Sequence, residues 1–245
     1  MKPAVTQSTT AAQVEEIGMG EKLGLFEAMY TQRALRRLKP DPIPDDLLWR
    51  LLEAGTKAPS GSNTQVWRFL VVRDPARKRF IQERYKKAWD TYAAANAAAA
   101  AERGAPLPPD ELRAQMRMVQ SAAHLSEHMH EAPVLLVVCM VPRPLPLPSG
   151  GRRRSPAALY ASIFPAVQNL LLAARALGLG ATLTTLHLLY EDEIKTELGI
   201  PDDTEAVALL PIGFPIGRYG PTRRRPVQEV TYWDRWGVTR ERSGQ

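Results

Sequence analysis

The feature that most constrains this fold is the apolar run PVLLVVCMV at residues 133–141. It lacks the polar alternation of a strand with one face in water, and its β-branched residues favour an extended backbone. The run therefore predicts a strand that is buried on both faces. A second apolar segment, VALLPIG at residues 207–213, predicts a further strand. Helical and strand patterns alternate unevenly elsewhere, which favours an α+β fold over a regular βαβ series.

The other elements follow from hydrophobic spacing and from residues that break helices. After Asp45, the side chains of Leu48, Leu51 and Leu52 fall on one helical face, and Gly55 is a natural stop. Helices are predicted in this way at residues 26–38, 45–55, 76–103, 110–131, 159–177 and 191–198. Additional strands are predicted at residues 67–72 and 181–186.

The composition excludes several classes of protein. Of the 245 residues, 44% are hydrophobic and 24% are charged, which is typical of a globular chain large enough to bury a core. No apolar stretch is long enough to span a membrane, and the first twenty residues lack the apolar segment of a signal peptide. Cys139 is the only cysteine, so no internal disulfide can form. We therefore expect a soluble, cytoplasmic protein.

The chain is basic, with 32 Lys and Arg against 26 Asp and Glu and a net charge of +6. A nucleic-acid-binding surface gathers such charge on one face, with aromatic residues between the cations. Here the excess is in short arginine groups that are far apart in the sequence, at residues 33–37, 152–154 and 223–225. Because guanidinium groups bind phosphate well, these groups fit a phosphate-bearing small ligand, and we do not expect nucleic-acid binding.

The standard catalytic signatures are absent from the sequence. It contains no P-loop, no dinucleotide-binding glycine fingerprint and no nucleophile elbow. The segment HLSEH places His124 and His128 one helical turn apart, as an inverted zinc protease motif does. No obvious third ligand accompanies them, so we expect a polar helix face rather than a metal site. Cys139 lies inside an apolar run and is expected to be a core residue rather than a nucleophile.

Four segments resemble, in order and in spacing, the motifs of the FMN-dependent nitroreductase family. These segments are QRALRRLKPDPIP at residues 32–44, APSGSNTQVW at 58–67, QNLLLAARALGLG at 168–180, and LPIGFP at 210–215 with RRRP at 223–226. The likeness covers about residues 25–90 and 157–230. Each motif alone is moderately specific, and the shared order makes their combination much more so.

The resemblance implies an α+β fold in which a mixed sheet is flanked by helices, assembled as an intertwined homodimer. It also implies an FMN at each of two shared sites, in an enzyme that uses NADPH or NADH to reduce a small aromatic acceptor, nitroaromatic or quinone. Hydride would pass through flavin N5 in a ping-pong cycle, so no side chain is nominated as a catalytic acid or base. The alternatives are a reductive dehalogenase, a flavin-destroying cobalamin-ligand synthase and a non-enzymatic FMN-binding protein.

The matching positions imply which residues would bind FMN. Arg33 and Arg224 would hold the phosphate and ribityl end, and Arg36 would approach the N1–C2=O edge, where a cation favours the anionic reduced flavin. Arg33 and Arg36 are three residues apart, so the predicted helix would place both on one face. The remaining residues, of which the last three would pass over the ring near N5, are Pro59, Ser60, Gly61, Asn63, Gln65, Thr184, Thr185 and Leu186.

The chain departs from the family at two phosphate-binding positions. Gln32, which we also assign to the cofactor site, stands where the family often has its first arginine, and Ala34 replaces the usual serine. The loss of a cation and a hydroxyl weakens the expected phosphate clamp. Arg37 and Arg223 are the candidates to compensate for it.

The same comparison divides the chain into three parts. These are a mobile N-terminal arm at residues 1–24, an FMN-binding domain at residues 25–220 and a C-terminal arm at residues 221–245 that embraces the partner subunit. The C-terminal arm contains Trp233 and Trp236 but no core of its own, and aromatic residues of this kind favour an interface.

Residues 90–155 correspond to the variable lid over the flavin. Their apolar, methionine-bearing helices suggest flat, neutral or electron-poor aromatic substrates. The arginines at residues 152–154 would meet the 2′-phosphate of NADPH or, in the interpretation we favour, lie in an exposed loop.

Overall fold

A computed structural model describes residues 23–102, 108–142 and 160–241 of the chain. The α-helices are α1 (Leu25–Thr31), α2 (Asp45–Thr56), α3 (Pro75–Glu102), α4 (Pro109–His128), α5 (Ile163–Ala176) and α6 (Glu191–Leu198). The strands are β1 (Trp67–Val72), β2 (Val134–Met140), β3 (Gly180–Ala181) and β4 (Glu205–Gly213). Short 3₁₀ turns occupy Gly61–Asn63, Met129–Glu131, Leu186–Tyr190 and Val227–Val230. Among the described helices, none has the length and apolar character that a membrane crossing requires.

The four strands form one sheet in the order β1-β2-β4-β3. All seven residues of β2 are buried, which confirms the doubly covered strand predicted from its composition. Its neighbours pair with it in antiparallel register, so that Val137 lies between Leu70 of β1 and Leu209 of β4. The α+β class is confirmed. The resemblance implied a mixed sheet, and every ladder between described strands is antiparallel.

Each face of the sheet carries its own helical layer. On one face, Leu51 of α2 and Leu170 of α5 pack against Leu136 of β2 and the side chains on the same face of that strand, Val134, Val138 and Met140. On the other face, Ile81 of α3, Leu125 of α4 and Ile194 of α6 cover Leu135, Val137 and Cys139. Burial raises the pKa of the Cys139 thiol to about 11, so this cysteine is a core residue, as expected, and not an activated nucleophile.

The first predicted helix is wrong over its second half. It was expected at residues 26–38, but α1 ends at Thr31 and the backbone of Gln32 is extended. The Leu35 N–H donates to the Ala181 carbonyl at 3.1 Å, and Leu38 forms a β-bridge with Pro215. Residues 32–39 therefore run extended along the edge of the sheet, because pairing there buries Leu35, which a continued helix would not allow.

Two later predictions differ in length. The helix expected at residues 159–177 is regular from Ile163 onward. The strand expected at residues 181–186 is reduced to Gly180–Ala181 and an isolated bridge between Thr184 and Leu209, after which the chain turns into a 3₁₀ segment. The short length of β3 leaves most of that edge of β4 without a neighbouring strand among the described residues.

Helices α3 and α4 extend beyond the core that they cover. In α3 the buried positions end at Trp89, and the alanine-rich remainder is exposed. In α4 the buried positions begin only at Ala122. The apolar side chains of Leu112 and Met116, which the sequence spacing assigns to a buried stripe, are exposed in the single chain. These outer helical turns belong to the region expected to form a lid.

Side chains satisfy the backbone of β4 where no strand covers it. The Ala206 N–H donates to Glu191 Oε1 at 2.9 Å, and His187 Nε2 donates to the Ala206 carbonyl at 3.0 Å. His187 is fully buried, and its Nδ1 has no partner among the described residues. Burial lowers the pKa of His187 to about 4, so the folded protein holds this imidazole neutral.

His187 should make stability depend on pH. The unfolded state binds a proton near pH 6.5 whereas the folded state does not until about pH 4, so stability is lost as the pH falls between these values. We expect the free energy of unfolding to drop by about 2 kcal/mol between pH 7 and pH 5 through this group alone. A His187→Gln variant, which keeps a donor for Ala206, should lack that component in urea titrations. Parallel pH profiles for the two proteins would contradict this account.

Gly213 closes β4 at a point where three segments meet. A Cβ on this residue would lie 2.8 Å from Pro133 Cδ and 3.1 Å from Leu38 Cβ. Since the proline ring cannot move aside, we expect Gly213→Ala to destabilise the fold by about 1–3 kcal/mol, measured by urea unfolding. Gly24→Ala is the control, because a Cβ there would have nothing within 4 Å. Equal stabilities for the two variants would show that the contact around Gly213 relaxes freely.

Candidate functional site

Arg33 and Arg36 lie on the extended segment that follows α1, on either side of the buried Leu35. The expectation that they share a helix face is therefore wrong, because the helix ends before them. They still lie within electrostatic reach of each other. Burial lowers the pKa of Arg36, the nearby Tyr85 opposes this change, and the positive charge of Arg33 adds to it.

The second arginine group approaches from the end of the chain. The Thr222 N–H donates to the Tyr30 carbonyl at 2.9 Å, which fixes the C-terminal segment against the last turn of α1. The guanidinium of Arg33 lies 4.0 Å from the position that a Cβ on Gly220 would take. Arg224 follows two residues after Thr222, and its guanidinium donates to the Arg223 carbonyl at 2.8 Å. No described carboxylate forms an ion pair with Arg33, Arg36 or Arg224.

Thr184 and Thr185 direct their side chains to different surroundings. The backbone of Thr184 exchanges two hydrogen bonds of 3.0 Å with Leu209, which attaches this segment to β4. The Thr184 hydroxyl is 3.1 Å from the hydroxyl of Tyr85 in α3. Thr185 instead lines a cavity of about 290 Å³ together with Tyr160 and Phe164. Leu186 begins the 3₁₀ turn that follows.

The loop at residues 59–65 is held in a strained conformation. Ser62, Asn63 and Gln65 have φ of 50°, 52° and 48°, a region that residues other than glycine seldom adopt. The Gln65 N–H donates to Ser60 Oγ at 2.8 Å, and Gln65 Nε2 donates to Asn63 Oδ1 at 3.1 Å. Such a fixed and unfavourable backbone is typical of a ligand-contacting loop.

The loop is anchored at the start of α5, away from the arginine group. The Gly61 N–H donates to Ser162 Oγ at 3.0 Å, whereas the side chains of Pro59, Asn63 and Gln65 are exposed. A Cβ on Gly61 would meet only that oxygen, at 3.8 Å, so the chain itself does not require glycine here. Across the described ranges, no hydrogen bond or ion pair joins this loop to the arginines or to Thr184.

The structure therefore divides the predicted site residues into two groups. One contains Arg33, Arg36 and the threonine segment, the other contains the loop, and no described contact joins Arg224 to either. Gln32 belongs to neither by a side-chain contact, since its backbone N–H closes α1 by donating to the Ala28 carbonyl. Tyr85 was missed by sequence reasoning. Nothing in a helical stripe distinguishes a tyrosine with a functional hydrogen bond from one that only fills the core.

The two histidines of the HLSEH segment form a local polar cluster. The rings of His124 and His128 stack with centroids 4.3 Å apart, and His128 Nδ1 lies 2.8 Å from Glu131 Oε1. This hydrogen bond lowers the pKa of Glu131. Within residues 23–102, 108–142 and 160–241, no three His, Cys, Asp or Glu side chains are placed to hold a metal ion. The arginines at residues 152–154 lie outside the described residues, as does most of the expected N-terminal arm.

Known proteins resemble this chain in sequence. A protein described as NADH dehydrogenase from Thermus thermophilus is 30% identical over 84% of this chain and 94% of its own length. A 5,6-dimethylbenzimidazole synthase from Rhodospirillum rubrum is 32% identical over 83% of this chain and 91% of its own length.

Solved structures share the fold at lower identity. Oxidised iodotyrosine deiodinase, bound to FMN and 3-iodo-L-tyrosine, superposes with a TM-score of 0.63 at 24% identity, covering 88% of this chain and 100% of its own. A nitroreductase with bound FMN from Desulfitobacterium hafniense gives a TM-score of 0.58 at 18% identity, over 86% and 98%. The sequence profile of the Nitroreductase family matches residues 30–214, a span that contains both groups of predicted site residues except Arg224. This chain belongs to the nitroreductase family.

Proposed function

We propose that this protein is a homodimeric, cytoplasmic FMN-dependent oxidoreductase that uses NADPH or NADH to reduce a nitroaromatic or quinone-type acceptor. When bound, FMN would supply the electron transfer, taking hydride at N5 from the nicotinamide and giving it to the acceptor in a ping-pong cycle. The observation that carries the proposal is Arg36, a partly buried cation without a described carboxylate partner, which interacts with Tyr85, the residue that hydrogen-bonds to Thr184.

The charge of this group fits FMN. Its phosphate is a dianion that guanidinium groups bind well, and the contact between α1 and the C-terminal segment brings Arg33 beside Gly220, four residues before Arg224. Arg36 is partly buried, so its charge carries a desolvation cost that an anionic partner would offset. Reduced flavin carries negative charge at N1, which is the edge assigned to Arg36.

The hydrogen bonds around Thr184 indicate which backbone N–H group in this segment could donate to flavin N5. The Thr184 N–H is used by the Leu209 carbonyl, and its hydroxyl is engaged with Tyr85. Among the described residues, no hydrogen bond uses the N–H of Thr185 or Leu186. We therefore assign the N5 contact to Thr185 or Leu186 and give Thr184 the role of holding the segment on β4.

The loop at residues 59–65 is proposed to act across a subunit interface. It is exposed, strained and unconnected to the arginine group of its own chain, as a loop would be that completes the site of a second copy. Large apolar side chains that an interface would bury are also exposed. Trp236 is 90% exposed, and Phe26 and Tyr30 of α1 are exposed on the helix beside the C-terminal segment.

The outer turns of α3 and α4 are proposed to form the wall of the acceptor pocket. Leu112, Met116, Met118 and Val119 present a flexible apolar surface without a described covering element. Methionine-bearing surfaces adapt to flat ligands, which favours neutral or electron-poor aromatic acceptors.

Absorbance and FMN titration test the cofactor site. The purified protein should show bands near ~375 and ~450 nm that bleach on anaerobic addition of NADPH. Arg33→Ala and Arg224→Ala should each weaken FMN binding by about 10- to 100-fold, because each removes a charge-assisted contact to the phosphate. Arg77→Ala is the control of equal charge change, since Arg77 lies on the first turn of α3 near Glu197. A colourless protein that ignores added FMN would refute the proposal.

The same titration identifies what replaces the missing phosphate ligands. Gln32 and Ala34 provide neither the cation nor the hydroxyl of the family motif, so Arg37 or Arg223 is proposed to contribute the charge. We expect Arg37→Ala or Arg223→Ala to raise the FMN dissociation constant by about tenfold. Unchanged dissociation constants in both variants would end this explanation.

Subunit separation should release the flavin if the site is shared. In sedimentation followed at ~450 nm, bound flavin should travel only with a species of twice the 27.2 kDa chain mass. Replacing Trp233 and Trp236 together by aspartate should shift the protein toward the monomer and release FMN, because charges would then face the proposed interface. Flavin that remains on a verified monomer would show that one chain suffices.

Two relatives carry names that point to other flavin chemistry. The 5,6-dimethylbenzimidazole synthase matches nearly the whole chain, and a rat iodotyrosine deiodinase is 25% identical over 78% of it. Destruction of the flavin under oxygen would favour the first chemistry, and turnover of halophenols would favour the second. A yellow protein that is inert to both pyridine nucleotides would favour a flavin carrier.

A further inference from the structure

Tyr85 is a buried residue to which the proposed cofactor site assigns no role. Its side chain is 3% exposed and packs with Ile81 and Leu125 in the core between α3, α4 and the sheet. A buried hydroxyl costs free energy unless it is hydrogen-bonded. The Tyr85 hydroxyl meets that requirement with the Thr184 hydroxyl, 3.1 Å away.

Tyr85 also lies in the electrostatic field of Arg36. Burial raises the pKa of Tyr85, and both the hydrogen bond from Thr184 and the charge of Arg36 work against that rise. In return, Tyr85 opposes the effect of burial on Arg36. One phenol on α3 therefore interacts with two groups that come from distant parts of the sequence.

The contact with Thr184 has consequences for the next residues of the chain. Thr184 is attached to β4 by its backbone bonds to Leu209, and its side chain is attached to α3 by Tyr85. The position of the segment is thus set from two directions. Thr185 and Leu186, whose N–H groups remain available, follow directly from this fixed point.

We propose that Tyr85 is a positioning residue of the flavin site. It sets the Thr184–Leu186 backbone that faces N5 relative to the Arg36 guanidinium that faces the N1–C2=O edge. The inference rests on the proposed function, and it assigns Tyr85 an action through these two groups rather than a contact with the flavin. Because the Arg36 charge favours the anionic reduced flavin, its misplacement should weaken the binding of reduced FMN more than that of oxidised FMN.

The test is Tyr85→Phe, which keeps the ring and its packing and removes only the hydroxyl. We expect oxidised FMN to bind about threefold more weakly and reduced FMN about tenfold more weakly beyond that. The tenfold difference corresponds to a fall of about 30 mV in the two-electron midpoint potential of the bound flavin. Tyr92→Phe is the matched control, because Tyr92 is an exposed tyrosine on the same helix, and it should leave the potential unchanged.

Variants of Thr184 provide a second and independent test. Thr184→Val removes the hydroxyl that Tyr85 binds and should lower the potential as Tyr85→Phe does, whereas Thr184→Ser keeps a hydroxyl and should restore it. The double variant should show little more than the effect of one change, because both remove the same hydrogen bond. If Tyr85→Phe does not fold, the valine and serine variants decide the question.

The outcomes separate this inference from the proposed function. A wild-type protein that binds no FMN refutes both. A wild-type protein that binds and cycles FMN, with Tyr85→Phe and Thr184→Val at the wild-type potential, refutes the role of Tyr85 alone. Equal weakening of oxidised and reduced FMN, or additive effects in the double variant, would show general loosening of the fold and would also overturn it.

Discussion

Seven consecutive residues of β2 are buried, and both faces of the sheet consequently need a helical layer. Helices α2 and α5 supply one layer, while α3, α4 and α6 supply the other. Its neighbour β4 lies next to the edge of the sheet, where the two-residue strand β3 covers only a small part of it. At that edge, the layers leave room for irregular segments from distant parts of the sequence. The arrangement of the site is thus a consequence of how the central strand is covered.

The edge of β4 illustrates how polar groups replace a missing strand. Because β3 is only two residues long, His187 and Glu191 bind the backbone of Ala206, and Thr184 makes a single bridge to Leu209. A regular strand paired with β4 would have used the Leu186 N–H in the ladder, because Thr184 already pairs with Leu209 and the paired residues alternate along a strand; that N–H would then be unavailable to a ligand.

The environment of Arg36 in the described part of the chain favours the binding of an anion. Arg36 is partly buried and lies in the field of the positively charged Arg33, an arrangement that raises the free energy of the Arg36 cation unless a negative partner is present. Across the sheet, the strained loop that contains Asn63 is fixed by its own hydrogen bonds and exposed to solvent. Both features have a local free-energy cost, which the proposed binding of FMN between two copies of the chain would offset.

Much of the fold was predictable from the sequence because buried positions are occupied by apolar residue types. β1 and α6 match their predicted bounds, and α2, α3 and the buried strands differ only slightly from theirs, since apolar spacing and breakers depend on local sequence. The family motifs predicted that the arginines, the loop and the threonines form one cofactor site, which stays a prediction. The arrangement of these residues was decided by the tertiary structure. Residues 32–38 have a helical pattern but pair with the edge of the sheet. They do so because the hydrogen bond to Ala181 and the burial of Leu35 outweigh helix propensity. The contact between Tyr85 and Thr184 was equally invisible in the sequence, because it joins residues that only the packing of α3 against the edge of β4 brings together.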